Sequence, residues 1–256
     1  MNKKFTILTS SYNCGRYLLP LVDSVIAQCY RPIEAVMVDD HSNDNTKKLI
    51  DEISAKYKKA SIEFKYIRNK TRLYCGSSYR VALKNATGYY LGVLDSDDML
   101  EPFACSFVVG LYERYKKVTW LYTQYNKYNR TMERIIKKGY STNPIGEDTL
   151  LSLSTRGIHN FSHWRTFSCR VPDRKSLFKG GLKCCVDKYL GYRLEKLGIG
   201  MFVDKVCYRY RTRNRGEKPI SYEEPLQKVL REVITKVKKR RKNNKCNPYK
   251  ILKHKL

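Results

Sequence analysis

The chain has 256 residues, 51 Lys and Arg against 24 Asp and Glu, and a formal net charge of +27. At this length a chain buries a core without disulfides or a structural metal, and 12% aromatic residues is too many for a disordered one. Its most apolar stretch, at 103–112, is about half of a membrane-spanning helix, which argues against a spanning protein.

The first half alternates strand-like and helix-like segments. Residues 5–9 form a short β-prone run. Leu18, Leu21, Val22, Val25 and Ile26 recur at helical spacing, and Pro32 closes that segment. Residues 33–38 are apolar and end in Asp39-Asp40. Short polar side chains at 43–46 open a second helix that carries Leu49, Ile50 and Ile53. Residues 62–67 read as a third strand, and 76–86 as a helix ending at Gly88. Residues 89–94 read as a fourth strand, which runs into Asp95-Ser96-Asp97-Asp98. This order predicts an α/β fold with a mostly parallel sheet flanked by helices. Ligands of such sheets gather at the carboxyl ends of the strands, where both acidic clusters fall.

The second half is less regular. A helix is predicted over 100–116 and a strand over 118–122. The Tyr-, Asn- and Lys-rich stretch 124–147 reads as a hairpin or a long loop. Residues 165–171 read as a strand and 187–197 as a helix ended by Gly198. Residues 201–203 and 206–210 read as two short β-prone pieces. From Tyr222 a basic amphipathic helix carries Leu226, Val229, Leu230, Val233 and Val237 before a Lys/Arg run at 238–242.

Segments 1–110, 111–220 and 221–256 carry 15, 24 and 12 basic side chains against 12, 9 and 3 acidic ones. Most of the positive excess therefore lies outside the first segment. It predicts a polyanionic partner met by the second segment and the tail. Nine cysteines with no C-x-x-C pair are expected to be reduced thiols of a cytoplasmic protein, and the N-terminus shows no apolar signal region.

Asp95 and Asp97 stand at i and i+2 in a turn after an apolar strand. Such a pair can point at one spot and hold a hard divalent cation that neutralises a diphosphate. The same residues also suit a solvated turn or a helix cap. Asp39-Asp40 closes another strand, where it can join that site or cap the helix near 43.

Four stretches then resemble, in order, the motifs of the inverting family-two glycosyltransferases. They are Ile-Leu-Thr-Ser-Ser-Tyr-Asn at 7–13, Asp-Ser-Val-Ile-Ala-Gln at 23–28, Val-Met-Val-Asp-Asp-His-Ser-Asn-Asp-Asn-Thr at 36–46, and 86–98 with Pro102 following. The resemblance implies a GT-A fold, a nucleotide-diphosphate sugar donor with UDP-sugar favoured, and Mn2+ or Mg2+. It implies that Ser10, Ser11 and Tyr12 line the base pocket and that Asp40 accepts a hydrogen bond from the base N3–H. Asp95 would lie near the ribose and the metal, and Asp97 would ligate the metal.

Residues 186–194 resemble the family's acidic pair opening a helix, with Asp187 aligned with the catalytic base and Val186 in place of the usual Glu. Asp187 also suits a helix cap. His163 and Trp164 fall at the acceptor loop, where Trp164 suits stacking on a sugar or base, or filling the core. Arg211-Thr212-Arg213 resembles the late Arg-x-His element near the diphosphate, with Arg213 replacing the His. At 69–80 the family's Asn-x-Gly and Arg-Asn are missing, and Arg72 or Arg80 would substitute for the absent Arg.

The segments are thus expected to be a donor half at 1–110, an acceptor half at 111–220 and a basic tail. The acceptor is expected to be a surface glycan or lipid-linked saccharide, with the tail on an anionic membrane surface. A hydroxylated base of DNA is the alternative, because Tyr122, Tyr125, Tyr128, Trp164, Tyr208 and Tyr210 interleave with basic residues. An inactive basic binding module is a third reading.

Overall fold

Alternation at every second residue sends the strand side chains of the first half two ways. In the computed structural model, which describes residues 2–141, 161–183 and 186–212, Phe5, Ile7, Ala35, Met37 and Tyr90 face one side of a sheet. Leu8, Val36, Val38, Leu91 and Val93 face the other. The strands are β1 (Phe5–Ser11), β2 (Ile33–Asp39), β3 (Glu63–Arg68), β4 (Tyr90–Val93), β5 (Met99–Leu100), β6 (Val118–Tyr128), β7 (Ile135–Lys138), β8 (Arg165–Ser168) and β9 (Ile199–Arg211). The helices are α1 (Gly15–Ile26), α2 (Ile50–Lys59), α3 (Tyr74–Asn85), α4 (Ala104–Arg114) and α5 (Val186–Leu197).

Leu18, Leu21, Val22 and Val25 of α1, Ile53 and Tyr57 of α2, and Val108 and Tyr112 of α4 cover the first face. Tyr79 and Ala82 of α3, with Leu190 and Leu194 of α5, cover the second. Apolar positions three and four residues apart give each helix the stripe it buries.

The strands run in the order β3-β2-β1-β4-β8-β6-β9-β5, with β7 on β6. β3, β2, β1 and β4 are mutually parallel, as their crossover helices require. β8 is antiparallel to both β4 and β6. β9 is parallel to β6, and β5 is antiparallel to β9. The first half thus forms the parallel sheet expected of it, and the second half continues the same sheet in mixed sense.

Several element boundaries differ from expectation. The helix expected over 100–116 is α4 alone, because Met99–Leu100 pairs with β9 and Pro102 disfavours helix at the residue before it. The second helix opens with a 3-10 turn, Asn45–Leu49. Its cap is Asp44, whose side chain accepts from Thr46 N at 3.0 Å. The two β-prone pieces near 201–210 are one strand. The register against β6 slips between Tyr122 and Gln124, and this bulge accommodates the exposed Asp204 and Lys205. Of the two readings of 124–147, the described part is a hairpin, β6–β7. Residues 142–160, Arg213 and the tail lie outside the described residues.

Candidate active site

β4 is buried along its length and ends at a turn over Asp95–Asp98, closed by Asp98 N donating to Asp95 O at 3.1 Å. β9 pins this turn from the side. Arg211 donates from its backbone N to Asp98 Oδ1 (2.7 Å) and from Nε to Asp97 O (2.6 Å). Tyr208 donates its hydroxyl to Asp98 Oδ2 (2.8 Å) and accepts from Asp95 N (3.2 Å). Burial, and then the charges of Asp97 and Asp95, push the Asp98 carboxyl well above the usual carboxylate range. Asp95 accepts from Tyr79 Oη at 2.8 Å and keeps a side chain 34% exposed.

The centre of the site is Arg165, at the start of β8 and only 4% exposed. Its Nη2 lies 3.3 Å from Asp95 Oδ2 and 2.8 Å from His163 Nδ1. Its Nη1 lies 3.7 Å from Asp187 Oδ2, an ion-pair distance rather than a hydrogen bond. Asp187 stands in the first turn of α5, inside the helix rather than at its cap, and its side chain is 46% exposed.

His163 stacks on Tyr208 at 4.5 Å and on Tyr210 at 5.3 Å between ring centroids. Burial, and then the Arg165 and Lys127 charges, hold its imidazole well below the usual histidine range, so the ring is neutral. Because Nδ1 faces a guanidinium donor, the proton belongs on Nε2.

Among the described residues, Asp95, Asp98 and His163 offer ligand atoms within 4.8 Å of one another. Two carboxylates and an imidazole suit a divalent cation such as Mn2+, for which His163 Nδ1 would have to exchange its Arg165 donor for the ion. The expected ligand Asp97 is not in that group, and it is 7% exposed.

On the donor side, Tyr12 and Tyr74 both lie under the Arg72 guanidinium, 3.9 and 4.9 Å from its carbon, and Lys183 reaches the Tyr74 ring at 4.8 Å. Ser10 hydrogen-bonds the Cys75 thiol, whose pKa is pushed up to about 12 by burial and then by Asp95. Ser11 is fully buried, and its hydroxyl has no hydrogen-bond partner. Asp40 accepts from Asn69 Nδ2 (2.8 Å), Leu73 N (2.7 Å) and Tyr74 N (2.7 Å). Its carboxylate therefore holds the 69–74 loop at the start of α3, and a base N3–H would have to share it with those donors. Arg80 is exposed on α3 beside Gly180.

Trp164 departs from its expected acceptor role. It is fully buried, stacks on Phe5 at 5.4 Å, and fills the space above Gly92, where a Cβ would come within 2.4 Å of the indole. No face of it is free for a sugar. Arg165, Tyr79 and Cys75 were not singled out from the sequence, and Tyr208 was named only among the aromatics of the DNA reading.

Residues 6–177 match the sequence family described as glycosyl transferase family 2. The chain is 28% identical over 206 residues to the chondroitin synthase of Escherichia coli, covering 79% of this chain and 28% of that protein. It is also 28% identical over 203 residues to a hyaluronan synthase of Pasteurella multocida, covering 79% of this chain and 20% of that protein. The chain thus spans between a fifth and a little over a quarter of these relatives. Among solved structures it resembles S. aureus TarS 1-349 in complex with UDP-GlcNAc, with a TM-score of 0.72 and 21% identity over 91% of this chain and 66% of that one. It also resembles the mannosyltransferase PcManGT of Pyrobaculum calidifontis in complex with GDP-Man and Mn2+, with a TM-score of 0.59 and 12% identity over 97% of this chain and 66% of that one. These likenesses show a shared fold.

Proposed function

The chain belongs to glycosyl transferase family 2, and on that ground we propose that it transfers a sugar from a nucleotide-diphosphate donor, UDP-sugar first, to an acceptor hydroxyl with inversion. It is a glycosyltransferase with a GT-A fold. The observation that carries this proposal is Arg165 linking a strand-end carboxylate, Asp95, to a half-exposed helix-start carboxylate, Asp187.

In this reading Asp187 takes the acceptor hydroxyl proton. Arg165 keeps that carboxylate at a fixed distance from the donor side. Asp95 and Asp97, with Asp98 and His163 beside them, hold Mn2+ or Mg2+. The cation supplies neutralisation of the departing diphosphate. Ser10, Ser11, Tyr12, Asp40 and Arg72 form the nucleotide side, Asp40 chiefly by ordering its backbone. Arg80 and Arg213 are secondary donor contacts. Residues 1–110 serve the donor and 111–220 the acceptor.

The acceptor we favour is a surface glycan or lipid-linked saccharide. The two relatives named as chondroitin and hyaluronan synthases make glycans by name. A peripheral cytoplasmic enzyme with its basic tail on an anionic membrane fits this acceptor. Among the described residues no helix is long and apolar enough to cross a membrane. DNA as acceptor loses support from the aromatic residues that motivated it. Tyr122, Tyr125, Tyr128, Trp164 and Tyr208 are buried, which leaves only Tyr210 of that group partly open to a base.

A panel of nucleotide sugars in thermal-shift assays with Mn2+ tests the donor. A ligand at 100 times its Kd stabilises by about 2.7 kcal/mol, which moves a melting point by several degrees. UDP-sugars are expected to stabilise with Mn2+ and to lose the effect with EDTA. Equal shifts from all nucleotides, or none, would overturn the donor reading. An Asp97→Ala chain whose activity kept its Mn2+ dependence would remove that residue from the metal.

A further inference from the structure

Among the described residues the exposed large hydrophobic side chains are Leu73, Ile135, Ile136 and Tyr140, so three of the four lie on one hairpin. Ile135 and Ile136 are 52% and 53% exposed and adjacent, at a register slip of β7 against Lys127 and Tyr128, and all four residues of β7 are exposed. Around them stand the exposed Arg130, Arg134, Lys137 and Lys138, with Glu133 the one acid in the turn. Lys138 also pairs with the exposed Asp204 at 3.3 Å.

The hairpin is a built structure. Asn129 organises its turn, accepting at Oδ1 from Glu133 N (3.0 Å) and Arg134 N (3.1 Å), while Asn129 N donates to Arg134 O (2.9 Å). Its base rests on the active site. Tyr125 of β6 contacts His163 at 5.4 Å, Tyr140 contacts Tyr125 at 5.7 Å, and the Lys127 ammonium lies 5.5 Å from the Tyr140 ring.

A soluble polyanion would be served by the cations alone and gives no reason to expose two neighbouring isoleucines. Exposed aliphatic side chains ringed by Lys and Arg match an anionic bilayer surface, where the cations meet headgroups and the apolar groups enter the acyl boundary. We propose that the β6–β7 hairpin is a membrane-docking element that inserts Ile135 and Ile136 into an anionic leaflet. It sets the acceptor side of the site, at His163, against the bilayer. This element is distinct from the basic tail. It fits a lipid-linked acceptor, but its test adds neither donor nor acceptor, so it stands or falls apart from the transferase reading.

The full chain carrying Ile136→Trp tests the insertion directly. The two native tryptophans, Trp120 and Trp164, are 1% and 0% exposed, so the added indole reports the hairpin. Vesicles of equal phosphatidylglycerol and brominated phosphatidylcholine are expected to shift its emission to the blue and quench it. Vesicles of brominated phosphatidylcholine alone are expected to do neither. With native side chains otherwise, Ile135→Ser with Ile136→Ser is expected to lower partitioning onto the anionic vesicles about tenfold or more, with an unchanged melting temperature. Binding of the Ile136→Trp chain to vesicles without quenching of the added indole would place the contact elsewhere on the chain and overturn the proposal. So would equal partitioning of the serine chain, or an emission shift produced by duplex DNA or a hyaluronan oligosaccharide but not by vesicles.

Discussion

Arg165 and Asp187 meet at 3.7 Å across the junction of β8 and α5, two elements that share no pattern in the sequence. The same guanidinium reaches Asp95 at 3.3 Å. One buried cation thus sets the spacing between the carboxylate at the end of β4 and the carboxylate that opens α5. An unpaired buried cation is costly, so each carboxylate also holds the arginine in place.

Arg165→Lys keeps a positive charge but loses the planar fork that addresses two carboxylates at once. Misplacement of a reacting group by about 1 Å costs about 100-fold in rate, so kcat for transfer is expected to fall about 10- to 100-fold. The KM for donor and the UDP-induced thermal shift are expected to stay within a few-fold. Steady-state kinetics over donor concentration check this. A fall in melting temperature with unchanged kcat would make Arg165 a purely structural residue.

Asp40→Ala removes an acceptor from two backbone donors, Leu73 N and Tyr74 N, and from Asn69. Leaving buried donors unsatisfied costs about 1–3 kcal/mol. Both urea stability and UDP affinity are expected to drop, because the loop that carries Arg72 over Tyr12 loses its anchor. Hydrogen exchange at Leu73 and Tyr74 is expected to accelerate, which a role confined to reading the base would not produce.

The α/β order, the two acidic strand ends and the helix-opening Asp187 were legible in the sequence, because all three are local patterns. The parallel half of the sheet follows from strand and helix periodicities that alternate along the chain. What stayed hidden depends on tertiary pairing. Arg165 looks like an ordinary strand residue until β8 is laid between β4 and β6. Tyr208 joins the Asp95–Asp98 turn only because β9 runs beside β5. Trp164 suits both a sugar platform and a core, and only the space above Gly92 decides for the core.

Trp164→Ala would empty that space in the centre of the sheet. Truncating a buried Trp costs about 3–5 kcal/mol, so the urea midpoint is expected to fall sharply. Gly92→Ala is expected to destabilise as well, since its methyl would overlap the indole. Gly92→Ala combined with Trp164→Phe is expected to recover part of that loss.

Glu34 supplies the expected acid sensitivity. It is fully buried and accepts from Lys65 Nζ (2.6 Å), Thr6 Oγ1 (2.5 Å), Thr87 N (2.8 Å) and Thr87 Oγ1 (2.8 Å). Burial works to raise its pKa, but the bonds from Lys65, Thr6 and Thr87 prevail and lower it. A lowered folded-state pKa gives stability that is present above the unfolded value of about 4.3 and is lost as pH falls through the folded value. Urea midpoints are therefore expected to fall below about pH 4. Glu34→Gln is expected to be less stable at pH 7 by about 1–3 kcal/mol and flatter in that acid window.

The proposed roles of Asp187 as base and Arg165 as its support meet their sharpest test in Asp187→Asn, assayed for sugar transfer, with the UDP-induced thermal shift in Mn2+ measured on the same chain. General-base catalysis is worth about 100- to 10,000-fold, so transfer is expected to fall by at least about 100-fold while the thermal shift is unchanged. An Asp187→Asn chain that transfers sugar at close to the parent rate would show that Asp187 is not the base.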